Sequence, residues 1–324
     1  METTTFLPAR IPVLAPQAFD EPANLPFIEA NTKEVKMSHL KDDCIIPVFS
    51  KDNEVTISHQ SFIDTLQEAA QSVFPRERIT SPSIRVSHVV KGRIPEAIHK
   101  PVNQLLESDK TIYYERMMFC FEIPSIYQEI DGCRLNLTIG GVRAYNEQNL
   151  YSRKSPEKFK IFIGFKNLVC CNLCVSTDGY QASLRVMDIT AMLSAAQDLF
   201  RSYDMEQHLA LMAAYRTVGM SESQFAQFLG RCRLYQYLPS AEKKRIPELL
   251  LTDTQISMVA RSYYEDENFG KGDLDLWKVY NLFTGSNKIS YIDNFLDRAE
   301  NASVMTTGLA RALHGDPEYA WFLS

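Results

Sequence analysis

Residues 158–179 read KFKIFIGFKNLVCCNLCVSTDG, and the alternation in their first half decides the fold of the N-terminal half. A β-strand points successive side chains to opposite faces of its sheet. If residues 158–166 form a strand, one face carries Phe159, Ile161, Ile163 and Phe165. The other face carries Lys158, Lys160, Phe162, Gly164 and Lys166. The pattern therefore predicts a strand with one buried face and one face that carries lysines around an aromatic ring.

Stretches on both sides repeat the strand pattern. RLNLTI (134–139) alternates in the same way, and TIYYERMMFCFEIP (111–124) is rich in the aromatic and branched residues that favour strands. LVCCNLCV (168–175) predicts a further strand. Asp131-Gly132 is a hairpin turn signal between two of these runs. We therefore expect a mostly antiparallel sheet with one buried face.

The apolar period becomes helical after about residue 187. Ser221 with Gln224 and Thr252 with Gln255 form capping boxes, which mark helix starts. The sequence thus predicts an α+β fold, with a mostly antiparallel sheet in the N-terminal half followed by an all-helical C-terminal half. We divide the chain into a disordered or extended, proline-rich tail (1–40), an α+β sheet domain (41–186) and a helical domain (187–324).

Composition limits the functional class. The chain has 324 residues, a formal net charge of −6 and seven cysteines. No segment has the basic and apolar regions of a secretory signal, and no apolar run approaches the ~18 residues of a membrane span. The odd number of cysteines favours reduced thiols over a disulfide framework. We therefore predict a cytoplasmic protein that does not enter a membrane.

The CCNLC stretch (170–174) raises the question of a metal or redox site. Cys171-x-x-Cys174 has the spacing of half a zinc site, but the sequence has no second pair to complete four ligands. A redox pair of this spacing usually begins a helix, whereas the flanking residues here favour a strand. We interpret the cysteines as buried strand, with a metal or redox site as the alternative, and predict no metal and no cofactor.

Positive charge is concentrated in two segments of this acidic chain. Residues 76–101 and residues 141–170 each hold six Lys or Arg against two Glu, a net charge of +4 in each. A protein surface that carries cations around an outward aromatic ring is typical of single-stranded nucleic-acid binding. We predict such a face from Arg85, Lys91, Arg93, Lys100, Arg143, Tyr145, Arg153, Lys154, Lys158, Lys160, Phe162 and Lys166.

Two other interpretations stay open at this point. The lysine-bearing face could be an ordinary solvated surface whose one aromatic residue, Phe162, is covered by a helix. His88 and His99 near Glu96 could serve acid–base catalysis, but no nucleophile or set of metal-binding carboxylates accompanies them, so we predict no catalytic residues. A smaller basic and aromatic segment at 231–245 is interpreted as helix surface and core edge.

Several long stretches resemble an uncharacterised family of phage- and plasmid-borne bacterial proteins that carry a domain of unknown function. They are RLNLTIGGVRAYN (134–146), FKIFIGFKNLVCCNLCVSTDG (159–179) and LWKVYNLFTGSNKISYIDNFLDRA (276–299). A variant with GRIPEAIHKPVNQLLESDKTIYYERMMFC (92–120) looks closer and covers about residues 45 to 324. The shared elements are Val169-Cys170-Cys171-Asn172 and the Trp-x-x-Tyr-Asn element at Trp277, Tyr280 and Asn281. The resemblance implies a setting in mobile elements, and it implies no reaction.

These observations lead to a functional prediction with one alternative. The chain is predicted to be a non-enzymatic accessory protein of a phage, plasmid or conjugative element that binds nucleic acid, single-stranded by preference. The alternative is an antidefence or regulatory factor that acts by contact with a host or phage protein. An enzyme without a recognisable motif is a third possibility.

Overall fold

The computed structural model describes residues 26–44, 57–97, 99–147, 156–265 and 272–324. Its strands are β1 (Lys33–Glu34), β2 (Ser83–Arg93), β3 (Lys110–Ile130), β4 (Cys133–Ala144), β5 (Glu157–Asn167), β6 (Leu173–Cys174), β7 (Tyr180–Val186), β8 (Gly219–Met220) and β9 (Leu274–Asp275). Its helices are α1 (Met37–Asp42), α2 (His59–Val73), α3 (Ile189–Ser202), α4 (Met205–Ala214), α5 (Glu222–Tyr237), α6 (Ser240–Lys243), α7 (Asp253–Glu265), α8 (Leu276–Ser286) and α9 (Ile292–Leu313). Both predicted capping boxes are present, at Ser221 and at Thr252. The predicted α+β fold class is confirmed.

The large sheet follows the chain order. Strands β1 to β6 lie side by side, and β7 also pairs with β5. The neighbouring strands of this sheet pair antiparallel. Strand β3 is 21 residues long, and its register with β4 is irregular between Ile123 and Tyr127. Irregularities of this kind bend a strand, and the sheet is curled.

One face of the sheet packs against α2 and α3. The Phe62 ring of α2 meets the Phe119 ring edge-on, with ring centres 5.1 Å apart, and its centre lies 4.7 Å from that of Phe159. Gly141 makes room for this ring, because a Cβ atom there would lie 2.5 Å from a Phe62 carbon. This is the buried face that the alternation at 159–165 predicts.

The opposite face of the sheet is covered by α9. Phe295 and Leu296 of this helix form a buried cluster with Phe162 of β5. Phe27 and Ile28, from the segment before β1, complete the cover. The expectation of one buried face is therefore wrong, because the sheet is covered on both.

The second half of α9 joins the sheet to the helical half. Met305 and Leu309 of α9 belong to the same hydrophobic cluster as Trp277 and Tyr280 of α8. That cluster extends without a break to Phe159 and its neighbours in the sheet. The predicted boundary between residues 186 and 187 falls between β7 and α3, and the hydrophobic core crosses it.

Two segments differ from their expected structure. Within the predicted tail, residues 1–25 lie outside the described residues, but residues 26–40 are folded: Phe27 and Ile28 are buried and β1 pairs with β2. The strand predicted at 168–175 is mostly a turn, which the backbone N–H of Asn167 closes on the carbonyl of Asn172. Cys171 in this turn has a φ of 57°, a value that ends strand geometry.

Among the residues that the structure describes, none of the helices combines the length and the apolar character that a bilayer crossing requires.

Candidate functional site

The predicted nucleic-acid face is closed by α9. Phe162, the aromatic residue that the prediction places outward among lysines, is fully buried against Phe295 and Leu296. The alternative stated for this residue, an aromatic covered by a helix, is the arrangement in the structure. A base cannot stack on Phe162 while α9 occupies this position.

The lysines beside Phe162 are held by carboxylates. The Lys160 ammonium donates to the Asp293 carbonyl and lies 2.7 Å from Asp297, both in α9. Lys158 lies 2.7 Å from Glu147. Ion pairs to α9 and to the loop after β4 thus neutralise this row of lysines.

Arg143 and Tyr145 are also internal. The fully buried Arg143 guanidinium pairs with Glu157 and lies 4.6 Å from the centre of the Tyr145 ring. Burial raises the pKa of the Tyr145 hydroxyl. At the other end of β5, Lys166 lies 2.8 Å from Glu122. Burial opposes the charge of Lys166, yet the neighbouring Cys120 and Glu122 raise its pKa on balance.

The remaining predicted residues lie along β2 and the connection that follows it. Arg85 donates to Thr32, Arg93 donates to the Lys100 carbonyl, and Lys100 lies 2.8 Å from Asp109. Lys91 is exposed. Arg153 and Lys154 lie outside the described residues. The predicted set is therefore dispersed over the molecule, and its role in nucleic-acid binding stays a prediction.

A cleft forms where the turn after β5 meets α8. It has a volume of about 390 Å³. Its walls include Asn167, Val169, Cys170 and Asn172 from the end of β5 and the turn, Trp277, Lys278 and Asn281 from α8, and Lys288 from the turn that follows α8. The two short elements that carry the family resemblance thus meet in one place, although about 100 residues separate them in the sequence.

Two asparagine amides in the cleft are oriented by their partners. The Asn281 amide nitrogen donates to the Trp277 carbonyl at 2.9 Å, so its oxygen faces Asn167. The Asn167 oxygen in turn accepts from the Val169 backbone N–H at 2.9 Å. These bonds fix the turn against the helix.

Asn172 has an unused acceptor. Its Nδ2 donates to the carbonyl of Asn281 at 3.2 Å and to the Thr284 hydroxyl at 3.1 Å. A backbone carbonyl can only accept, so the amide orientation is fixed. The side chain is 3% exposed, and its Oδ1 finds no hydrogen-bond partner among the described residues. Leaving a buried acceptor unpaired costs on the order of 1–3 kcal/mol, and a hydrogen-bond donor from a water or a ligand would remove this cost.

The lining of the cleft carries charge of both signs. Lys288 donates to the Cys170 carbonyl, which places its ammonium beside the turn. Lys278 also lines the cleft. Asp131, which also lines the cleft, lies 2.7 Å from Arg216. The arrangement favours a polar ligand that carries negative charge.

The Cys170 thiol in the cleft is poorly suited to nucleophilic chemistry. Burial raises the pKa of Cys170 to about 11, so the thiol stays protonated at neutral pH. Cys174 is fully buried, and burial also raises the pKa of its thiol. Across the described part of the chain, His, Cys, Asp and Glu side chains form no cluster of three or more that could hold a metal. The interpretation of the cysteines as core holds for Cys171 and Cys174, both of which are buried.

Comparison with known protein families assigns the chain to one of them. Residues 10–323 match a family described as "Domain of unknown function, B. Theta Gene description (DUF3871)". The chain belongs to this family. An uncharacterised family was predicted from the resemblance, and at that level the prediction is confirmed. No curated protein and no solved structure matches this DUF3871 chain.

The cleft was not predicted as a site in this DUF3871 protein. Because Trp277 and Tyr280 lie on one helical stripe, sequence reasoning predicts that both belong to the core, and both are buried. It gave no role to Asn167, Asn172 or Asn281. The available signal was that Asn172 and Asn281 are the polar members of the two shared elements, and polar residues inside apolar stretches need partners.

Proposed function

We propose that this DUF3871 protein is a non-enzymatic binding protein that holds a small polar ligand in the cleft between the β5–β6 turn and α8. The observation that carries the proposal is the unpaired Asn172 oxygen. A ligand hydroxyl or amine would supply the missing donor and remove the cost of leaving that oxygen buried and unpaired. The cleft volume of about 390 Å³ lies within the range of ordinary small-molecule sites.

The lining narrows the chemical class of the ligand. Lys278 and Lys288 favour a carboxylate or phosphate group, and Asn172 favours a hydrogen-bond donor on the same molecule. Hydroxy acids, amino acids and sugar phosphates combine these two features. The high thiol pKa of Cys170 supports binding over covalent catalysis.

A substitution that fills the cleft tests the proposal. Gly285 lines the cleft, and a Cβ atom there would be 3.7 Å from Asn172 Nδ2, an ordinary contact. Gly285→Leu thus adds a side chain to the cleft, and its Cβ atom makes no clash with Asn172. Gly230→Leu on α5 is the matched control, because a Cβ atom there meets nothing within 4 Å.

The measurement is thermal unfolding with a panel of hydroxy acids, amino acids and sugar phosphates. A ligand at about 100 times its Kd stabilises a protein by about 2.7 kcal/mol. We expect at least one compound to raise the Tm of the wild type and of Gly230→Leu, and to leave Gly285→Leu unchanged. If no compound stabilises the wild type, or if one stabilises all proteins equally, the cleft is not the ligand site.

Contact with a host or phage protein is a second candidate, favoured by the connection between β2 and β3. This connection runs from the end of β2 at Arg93 to the start of β3 at Lys110. It carries two strongly exposed apolar residues, Val102 at 76% and Leu106 at 62%. A Val102→Ser/Leu106→Ser double variant should lose any protein partner that the wild type retains on a column. Equal retention by both proteins would remove this candidate.

The biological setting belongs to the same proposal. We place the protein in the cytoplasm as an accessory protein of a phage, plasmid or conjugative element. The seven cysteines are all free, which supports a reducing compartment. The long resemblance of residues 92–120 to proteins of mobile elements supports the genomic setting.

A further inference from the structure

A basic and aromatic surface lies on α5 and the turn after α6, far along the chain from the predicted sheet face. We propose that this surface binds single-stranded nucleic acid. The α5–α6 patch consists of Arg233, Leu234, Tyr237, Lys244 and Arg245. It is separate from the cleft, so the proposal is independent of the small ligand proposed above.

The aromatic part of the patch is exposed. Tyr237 is 77% exposed and Leu234 is 57% exposed. They lie three residues apart, on the side of α5 opposite Phe228 and Tyr235, which pack into the core. An exposed ring on a rigid helix offers a face on which a nucleic-acid base can stack.

The cationic part of the patch is available for phosphates. Lys244 and Arg245 are exposed, and within the described part of the chain neither makes an ion pair. Arg233 lies 2.8 Å from Asp253, and its side chain is 61% exposed. The acidic residue within this segment is Glu242, so residues 231–245 carry five Lys or Arg against one acid, a net charge of +4.

A contact between the two helices brings the cations to the aromatic ring. Lys243 of α6 donates to the Gln236 carbonyl at 3.0 Å, and its ammonium lies 5.2 Å from the centre of the Tyr235 ring. Gln236 precedes Tyr237 and Lys243 precedes Lys244, so this contact fixes both groups at the same end of α5. The geometry combines phosphate contacts with base stacking on one surface.

The charge of the rest of the chain opposes nucleic-acid binding outside the α5–α6 patch. The net charge is −6, so the protein outside residues 231–245 carries −10 and repels a polyanion. A single strand, whose bases are free to stack, gains from Tyr237 as well as from the cations. A duplex has its bases stacked internally and gains only from the cations. The patch therefore fits a single strand better than a duplex.

Fluorescence anisotropy with a labelled thymidine oligonucleotide of about 30 nucleotides tests the proposal, at about 50 mM and about 200 mM salt. We expect the wild type to bind with an affinity that falls as salt rises. Lys244→Glu/Arg245→Glu should weaken binding at least tenfold and reduce the salt dependence. Tyr237→Ala should weaken single-strand binding by about fivefold to a hundredfold and leave duplex binding nearly unchanged.

Two control variants give the experiment its specificity. Tyr264→Ala removes another exposed tyrosine, on α7, and Lys41→Glu reverses an exposed charge on α1. Both should bind as the wild type does. The proposal is overturned if the wild type fails to bind at about 50 mM salt, or if the patch variants bind as tightly as the controls. Lys91→Glu tests the sheet face predicted from the sequence. Loss of binding in this variant alone would assign the contact to β2 and overturn the proposal too.

Discussion

At the scale of the residue, Phe162 shows that the neighbours of a side chain decide its role. Strand alternation places Phe162 on the side of the sheet that carries the lysines. The ring is nevertheless buried, because Phe295 and Leu296 of α9 cover it. Lys160 next to it reaches the edge of that helix and pairs with Asp297. An aromatic ring between lysines is thus part of the buried contact between the sheet and α9.

Phe162→Ala is predicted to destabilise the fold. Removing a fully buried phenylalanine loses its burial and leaves a cavity, and costs about 3–5 kcal/mol. Denaturant unfolding should show a lower midpoint with an unchanged slope. Tyr237→Ala, which removes an exposed ring, should stay within about 0.5 kcal/mol of the wild type. Equal stability of the two variants would show that α9 does not cover the sheet.

Two buried histidines predict how stability depends on pH. Burial lowers the pKa of His59 to about 3 and that of His208 to about 4. In the unfolded chain both have a pKa of about 6.5, so the unfolded state binds more protons between pH 6.5 and about 4. The free energy of unfolding should therefore fall as the pH is lowered through this window, by about 1.4 kcal/mol per pH unit for each histidine.

Urea unfolding at pH 7, 6 and 5 measures this dependence. His208→Gln should have about half the slope of the wild type, because only His59 then titrates in this way. Glu300, whose pKa is raised by burial, acts in the opposite direction and moderates the slope. A free energy of unfolding that is constant or rises toward pH 5 would contradict the assignment of neutral, buried histidines.

At the scale of the element, α9 explains what the sequence could and could not predict. Its apolar spacing predicts a helix from about residue 290 to Leu313, and the structure has Ile292–Leu313. The spacing does not say what the helix packs against, because an apolar stripe fits a sheet and a helix equally well. The same limit applies to the cleft, since no local pattern shows that Asn172 and Asn281 meet.

At residues 168–175 the sequence could not distinguish a strand from a turn. A short apolar run suits a buried strand and a buried turn alike. Here Asn167 and Asn172 form a backbone hydrogen bond that closes a turn, and Cys171 takes a positive φ that few residues other than glycine adopt. The burial of Cys171 and Cys174 was predictable from their type, and the path of their backbone was not.

Two glycines in helices should respond to the same substitution in opposite ways. Gly308 of α9 faces the buried Tyr319, and a Cβ atom there would lie 2.3 Å from a carbon of that ring. Gly308→Ala should lower the free energy of unfolding by about 1–3 kcal/mol, because the ring must move. Gly230→Ala on α5 meets nothing within 4 Å and should raise it by up to about 1 kcal/mol through helix propensity. Denaturant unfolding measures both values, and stabilisation by Gly308→Ala would contradict the packing of the C-terminal segment on α9.

At the scale of the whole molecule, the helical half completes the sheet half. Helix α3 packs on one face of the sheet and α9 on the other. Both helices follow residue 187, so the sheet takes its cover on each side from the second half of the chain. Phe27 and Ile28 add to this cover from before residue 41, which is also outside the predicted sheet domain.

Separation of the two predicted domains is therefore expected to prevent folding. A fragment of residues 41–186 would expose the apolar residues around Phe159 and those around Phe162, and a fragment of residues 187–324 would expose Phe295 on α9. Exposure of surfaces this large removes the main source of stability. Denaturant titration followed by circular dichroism should give one cooperative transition for the full chain and none for either fragment. A sharp transition from either fragment alone would show that its half has a sufficient core of its own, and would restore the boundary at residue 186 as a true domain boundary.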